Sequence, residues 1–145
     1  MNSEEYLMSN NEYRISNIEV SEITSKKYDL DERLIDFAAL IIDYVEELPS
    51  AKGANHLGGQ LLRSGTSPAL NYAEAQAAES IDDFIHKMKI CLKELRESRN
   101  CLRILSKKQY LSIERTTILL NECTELIRIF VKSLQTAKAR KNKLQ

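Results

Sequence analysis

Tryptophan is absent from this 145-residue chain, and four glycines and two prolines leave little from which to build the turns of a β-rich fold. Histidine occurs only as His56 and His86, which lack the two-His spacing of a zinc helix and the Glu-x-x-His pairs of a di-iron bundle. Gly58-Gly59 is not followed by Lys and Ser or Thr, so there is no phosphate-cradling loop. Cys91, Cys101 and Cys123 are odd in number, fall inside helical patterns and include no Cys-x-x-Cys pair. They are read as buried thiols of a reduced, cytoplasmic protein. No apolar run is long enough for a membrane span, and Glu4 and Glu5 stand where a secretory leader would be basic and then apolar. The sequence therefore predicts no cofactor, no metal, no membrane and no small-molecule substrate.

What is present favours helices. Hydrophobic residues make up 43% of the chain, and Leu, Glu, Lys, Ala and Ile are heavily used. A chain of this length forms one ordinary domain that buries roughly 70% of its unfolded surface. The net charge is zero, but it is unevenly placed: residues 1–50 carry 4 basic and 12 acidic groups, residues 51–145 carry 17 and 9. From Lys132 to Gln145 there are cations and no acid. Such separation suits packing between segments or subunits, or a basic end offered to a polyanion.

Residues 1–28 form a polar lead, read as an N-terminal arm. Leu34, Phe37, Ile41, Val45 and Leu48 then recur at three- and four-residue steps, which predicts a helix from about 29 to 48, ended by Pro49. A loop from Ser50 to Leu57 should lead to a second helix from about Gly58 to Ala78. A third opens at Ser80, with Asp83 at the capping-box position, and runs through Ile85, Met88, Leu92, Leu95, Leu102 and Leu105. After a turn around Lys107 to Leu111, a fourth begins at Ser112 and continues through Leu120, Ile127, Val131 and Leu134. Short loops make consecutive helices antiparallel. The expected fold is all-α, an up-down-up-down four-helix bundle over 29–137, followed by a basic tail over 138–145. Ile118, Leu119, Leu126, Ile129 and Phe130 widen the apolar surface of the fourth helix, enough for a core and for another subunit.

The second helix is unusual. In RSGTSPALNYAE, Arg63, Ser67, Asn71 and Glu74 share one face, Gly65, Thr66 and Ala69 are small, and Pro68 predicts a kink. The third helix offers Asp83, Lys87, Glu94 and Glu97 as partners, and an arginine can meet a carboxylate with two bonds. Such a face is either a polar site between helices, a register-setting network, or exposed. Glu94 and Glu97 could serve as an acid/base pair, but beside Lys93 and Arg96 they are expected in salt bridges.

The stretches QLLRSGTSPALNYAEA and DFIHKMKICLKELRESRNCLRIL resemble the four-helix-bundle proteins encoded within intervening sequences of 23S ribosomal RNA genes, often called S23 ribosomal proteins. LLRSGTS and NY-x-EA also resemble the accessory variability proteins of diversity-generating retroelements. The matching positions are Arg63, Ser67, Asn71, Glu74, Phe84, Lys93, Glu94 and Glu97. Pro68 and Leu70 depart from the family's usual reading after the arginine, and Ala73 stands where basic residues are common. The resemblance implies a cyclic homo-oligomer, typically a pentamer, with a positive surface for nucleic acid. The leading expectation is a non-enzymatic scaffold that engages RNA or a reverse transcriptase through Lys87, Arg96, Arg103, Lys107, Lys108, Lys138, Arg140 and Lys141. The alternatives are a purely structural homo-oligomer acting through protein partners, and a carboxylate-based enzyme.

Overall fold

A computed structural model describes residues 29–145. The expected N-terminal arm, 1–28, lies outside the described residues. Two compact units divide the chain, Met1–Arg33 and Leu34–Gln145. Of the first, the described part is Asp29 and the opening turn of a helix, where the Asp29 carboxylate accepts the Glu32 amide at 3.1 Å.

The described elements are four helices: α1 (Leu30–Glu46), α2 (Lys52–Gln76), α3 (Ile81–Lys108) and α4 (Ile113–Leu144). In α1, Leu34, Phe37, Ile41 and Tyr44 recur at three- and four-residue steps and are fully buried or nearly so. Helix α2 starts six residues earlier than the sequence suggested, so the loop before it shrinks and His56 lies exposed on the helix. Gly53, Gly58 and Gly59 disguised this turn as loop, and Ala51 at the cap makes no side-chain hydrogen bond that could announce it. Gly58 has a packing reason to be there. A Cβ on it would meet Leu48 Cδ1 at 3.2 Å and Val45 Cγ1 at 3.4 Å.

The two serine caps form as their positions predict. Ser80 Oγ accepts the Asp83 amide at 3.0 Å and Ser112 Oγ accepts the Arg115 amide at 3.3 Å. Between them α3 ends at Gln109, whose left-handed φ of 50° returns its amide to the Leu105 carbonyl. Residues 138–144, set apart as a basic tail, are the last two turns of α4.

The contacts order the helices within the second unit. Gly58 meets Val45 and Leu48 while Gly65 meets Ile41, so α1 and α2 run antiparallel. Arg63 pairs with Glu94 and Glu97 while Glu74 pairs with Lys87, so α2 and α3 do too. Cys123 Sγ donates to the Leu95 carbonyl and Lys141 pairs with Asp82, which makes α3 and α4 antiparallel. Tyr44 OH and Thr116 Oγ1, 2.9 Å apart, and the Glu47–Arg115 ion pair join α1 to α4. The edge-on contact of Tyr72 with Phe130, ring centres 6.0 Å apart, joins α2 to α4. Helices α1 and α3 thus stand diagonally across the bundle. On α4, Leu119, Leu126 and Phe130 turn into the core, Ile129 is half-buried, and Ile118 is 62% exposed.

Candidate nucleic-acid interface

The polar face of α2 splits into two parts. Arg63 spans to α3, with Nη1 2.9 Å from Glu94 Oε2 and Nη2 2.5 Å from Glu97 Oε2. One turn on α3 separates the two carboxylates, a spacing that suits the two arms of a guanidinium. The Glu97 bond, then the charges of Glu94 and Glu97, raise the arginine above its ordinary pKa. Glu74 meets Lys87 at 3.0 Å, and that bond raises the ammonium likewise. Ser67 and Asn71, by contrast, satisfy each other: Asn71 Nδ2 donates to Ser67 Oγ at 2.8 Å and to its carbonyl at 3.1 Å. Glu94 and Glu97 are thereby held by Arg63 rather than by the neighbouring Lys93 or Arg96.

The buried part of the same contact lies one residue away from that ladder. Ser98 Oγ and Ser64 Oγ are hydrogen-bonded at 2.9 Å, and both serines are fully buried. Ser98 occupies the core phase of α3 between Leu95 and Leu102, and that spacing was the signal for it. Cys91 Sγ donates to the Pro68 carbonyl at 3.6 Å, so the proline is tied to α3 while α2 continues through it. Burial pushes the Cys91 and Cys123 thiols up to about 12 and raises Cys101 as well. These sulfurs stay protonated near neutral pH and are poor nucleophiles. Among the described residues no group of three or more His, Cys, Asp or Glu could hold a metal ion, and no helix is long and apolar enough to cross a membrane.

The expected cationic residues do not all come together. Lys87 is half-buried in its pair with Glu74, and Lys141 is held by Asp82. That pair also fixes the end of α4 beside the start of α3. Lys138 and Arg140, both exposed, therefore lie on the order of 35–40 Å along the bundle from Lys107 and Lys108. Arg96, Arg103 and Lys107 do share a face, and the structure adds residues that the expected site omitted. Lys89, Lys93, Arg96, Asn100, Arg103 and Lys107 follow at steps of four and three along α3, all exposed. The line is about 27 Å long at 1.5 Å per residue. It holds no acid, and its cations enter no ion pair with a described carboxylate. Regular spacing was the available signal, masked in the sequence by the interleaved Glu94 and Glu97, which turn toward α2.

The line changes character along its length. Lys89, Lys93 and Arg96 form a purely cationic upper part. Below them Arg103 Nη1 donates to the side-chain Oδ1 of Asn100 at 3.3 Å, and Asn100, Arg103, Ile104 and Lys107 line a surface depression of about 300 Å³. Ile104 is 47% exposed there.

The architecture is that of an all-α four-helix-bundle protein, cross-braced by an arginine held between two carboxylates. The chain belongs to the 23S rRNA-intervening sequence protein family, whose model matches residues 26–132. It is similar to a solved structure from Bacteroides thetaiotaomicron VPI-5482, a protein with unknown function from the S23 ribosomal protein family. The two are 30% identical with a TM-score of 0.68, over 72% of this chain and 97% of that one. No curated protein matches.

Proposed function

We propose that the protein is a non-enzymatic, self-assembling scaffold that binds RNA through the outer face of α3. The observation that carries this reading is the line Lys89, Lys93 and Arg96, three exposed cations on one helix face with no carboxylate partner among the described residues. Lys138 and Arg140 at the end of α4 extend positive charge at the same end of the bundle. Their partner is a phosphate backbone, since neutralising phosphates releases counterions and favours binding without reading sequence. The family's association with 23S rRNA genes makes a structured RNA the natural first ligand.

The test is fluorescence anisotropy with a labelled RNA hairpin, titrated across a range of salt. Affinity should fall linearly on a log–log plot, and each of Lys89→Gln, Lys93→Gln and Arg96→Gln should lower the slope by about 0.7–0.9. Lys87→Gln and Lys141→Gln, whose charges are already engaged by Glu74 and Asp82, should change it least. Binding that ignores salt, or survives loss of all three cations, would refute the reading. A second reading, a structural homo-oligomer without nucleic acid, is favoured by the isoleucines exposed on α1 and α3.

A further inference from the structure

Two outward faces of the bundle are complementary. On α1, Ile35, Ala39, Ile42 and Glu46 follow one another at steps of four and three, with Asp36 and Asp43 beside them, and all six are exposed. From Leu34 to Glu47 there is no basic residue. Ile35 is 46% exposed and Ile42 37%, which leaves two large aliphatic side chains a heptad apart on an acidic surface. The lower part of α3 is the counterpart: Ile104, 47% exposed, flanked by Arg103, Lys107 and Lys108 around the 300 Å³ depression. Asp36 to Glu46 spans about 15 Å of helix and Asn100 to Lys108 about 12 Å, so the patches match in length.

We infer that the acidic face of α1 in one copy docks on the Arg103–Ile104–Lys107 depression of α3 in a second copy. Ile35 and Ile42 cover Ile104, while Asp36, Asp43 and Glu46 meet Arg103, Lys107 and Lys108. This rests on the reading of the protein as a self-assembling scaffold and names the surface it uses. The two patches are different and lie diagonally across the bundle, so the contact is heterologous: each copy offers α1 to one neighbour and α3 to another. Lys89, Lys93 and Arg96 lie above the contact and remain open. An exposed apolar residue ringed by cations suits an acidic amphipathic helix better than a phosphate backbone. Charge opposition of this kind sets partner and register, whereas like charges in the same places repel strongly.

Complementation tests it. In light scattering at fixed concentration, wild-type protein should assemble beyond a monomer. Asp36→Lys/Asp43→Lys sets basic α1 against basic α3, and Arg103→Glu/Lys107→Glu sets acid against acid. Each variant alone should associate at least about tenfold more weakly. Mixed in equal amounts, the two should assemble again, because each then offers what the other lacks. All four positions are exposed, and unchanged circular dichroism confirms folding. Assembly that both swaps leave intact, or a mixture that stays dissociated, would overturn the inference while leaving the RNA reading standing. A monomeric wild type would overturn self-assembly itself. RNA affinity of the α1 variant, read separately, should depend on Lys89, Lys93 and Arg96 as it does in the wild type.

Discussion

Replacing Gly65 by alanine tests how tightly α1 lies on α2. Alanine normally stabilises a helix interior by about 1 kcal/mol relative to glycine. At Gly59, where a Cβ would meet nothing within 4 Å, that gain should appear in full. It corresponds to a rise of roughly 2–4 °C in Tm. At Gly65 the new Cβ would lie 2.8 Å from Ile41 Cγ2, 2.9 Å from Cγ1 and 3.2 Å from Cβ. Comfortable carbon contacts are about 3.5–4.0 Å. Ile41 is completely buried, and a β-branched side chain in a helix has essentially one rotamer, so it cannot turn aside. Helix α1 must shift by a large fraction of an ångström, dragging on Val45 above Gly58 and on the Tyr44–Thr116 bond. Overpacking of this kind costs about 1–3 kcal/mol, and the immobile neighbour places it near the upper end. Gly65→Ala should therefore be destabilising by about 2 kcal/mol net, and Gly59→Ala stabilising by about 1. Urea denaturation followed by circular dichroism at one protein concentration would read both. In an Ile41→Ala background both γ carbons are gone and only the Cβ contact at 3.2 Å remains, so Gly65→Ala should lose most of its cost. If Gly65→Ala stabilises the wild type as much as Gly59→Ala does, the close approach of α1 and α2 is wrong.

Further outcomes follow from the buried polar pairs and the thiols. Thr116→Val should cost about 1–3 kcal/mol in the same assay because it leaves the buried Tyr44 hydroxyl without its partner. Tyr44→Phe should cost about 0.5–1.5, since Thr116 keeps the Ser112 carbonyl at 3.2 Å, and a reversed order would refute the assignment. Ser98→Ala should cost more than Ser64→Ala, because Ser98 retains the Glu94 carbonyl at 3.0 Å when Ser64 is lost, and the double variant should cost less than the sum of the two. Cys91 and Cys123 have folded pKa values raised to about 12, above the ordinary thiol value in the unfolded chain. Their contribution is intact below about pH 8.5–9 and is lost as pH rises towards 12, so Cys123→Ala should flatten the alkaline fall in stability; an unchanged pH profile would contradict this.

The features that could be read from the sequence were those with a local cause. Ser80 and Ser112 cap helices through bonds to residues three ahead, so the starts of α3 and α4 were visible in a four-residue window. The start of α2 was not, because Gly53 and Gly58 answer to residues outside any such window, Tyr110 for the first and Val45 and Leu48 for the second. The Arg63–Glu94–Glu97 brace was foreseeable from one-turn spacing and opposite charge. The Ser64–Ser98 rung was harder, since a serine at a core position advertises nothing until its partner faces it. Choosing among cations required knowing which were already engaged. Lys87 and Lys141 look identical to Lys89 and Lys93 in sequence, and differ only because Glu74 and Asp82 face them.

The same distinction explains what a zero net charge conceals. The acids of α1 and the cations of α3 lie on separate helices, and the diagonal placement of those helices turns a separation along the sequence into a separation in space. Of the carboxylates that α3 itself carries, Glu94 and Glu97 turn toward Arg63 of α2 and Asp82 pairs with Lys141 of α4, away from the cationic line. The brace therefore holds α2 and α3 in register and also leaves Lys89, Lys93 and Arg96 without a carboxylate partner among the described residues. A sequence of equal composition with charges interleaved along each helix would bury the same core and keep the same net charge. It would present neither an acidic nor a basic face. The small residues of α2 serve two neighbours in this arrangement. Ser64 meets Ser98 and the Pro68 carbonyl meets Cys91 on α3, where Arg63 reaches both carboxylates, while Gly65 admits Ile41 of α1.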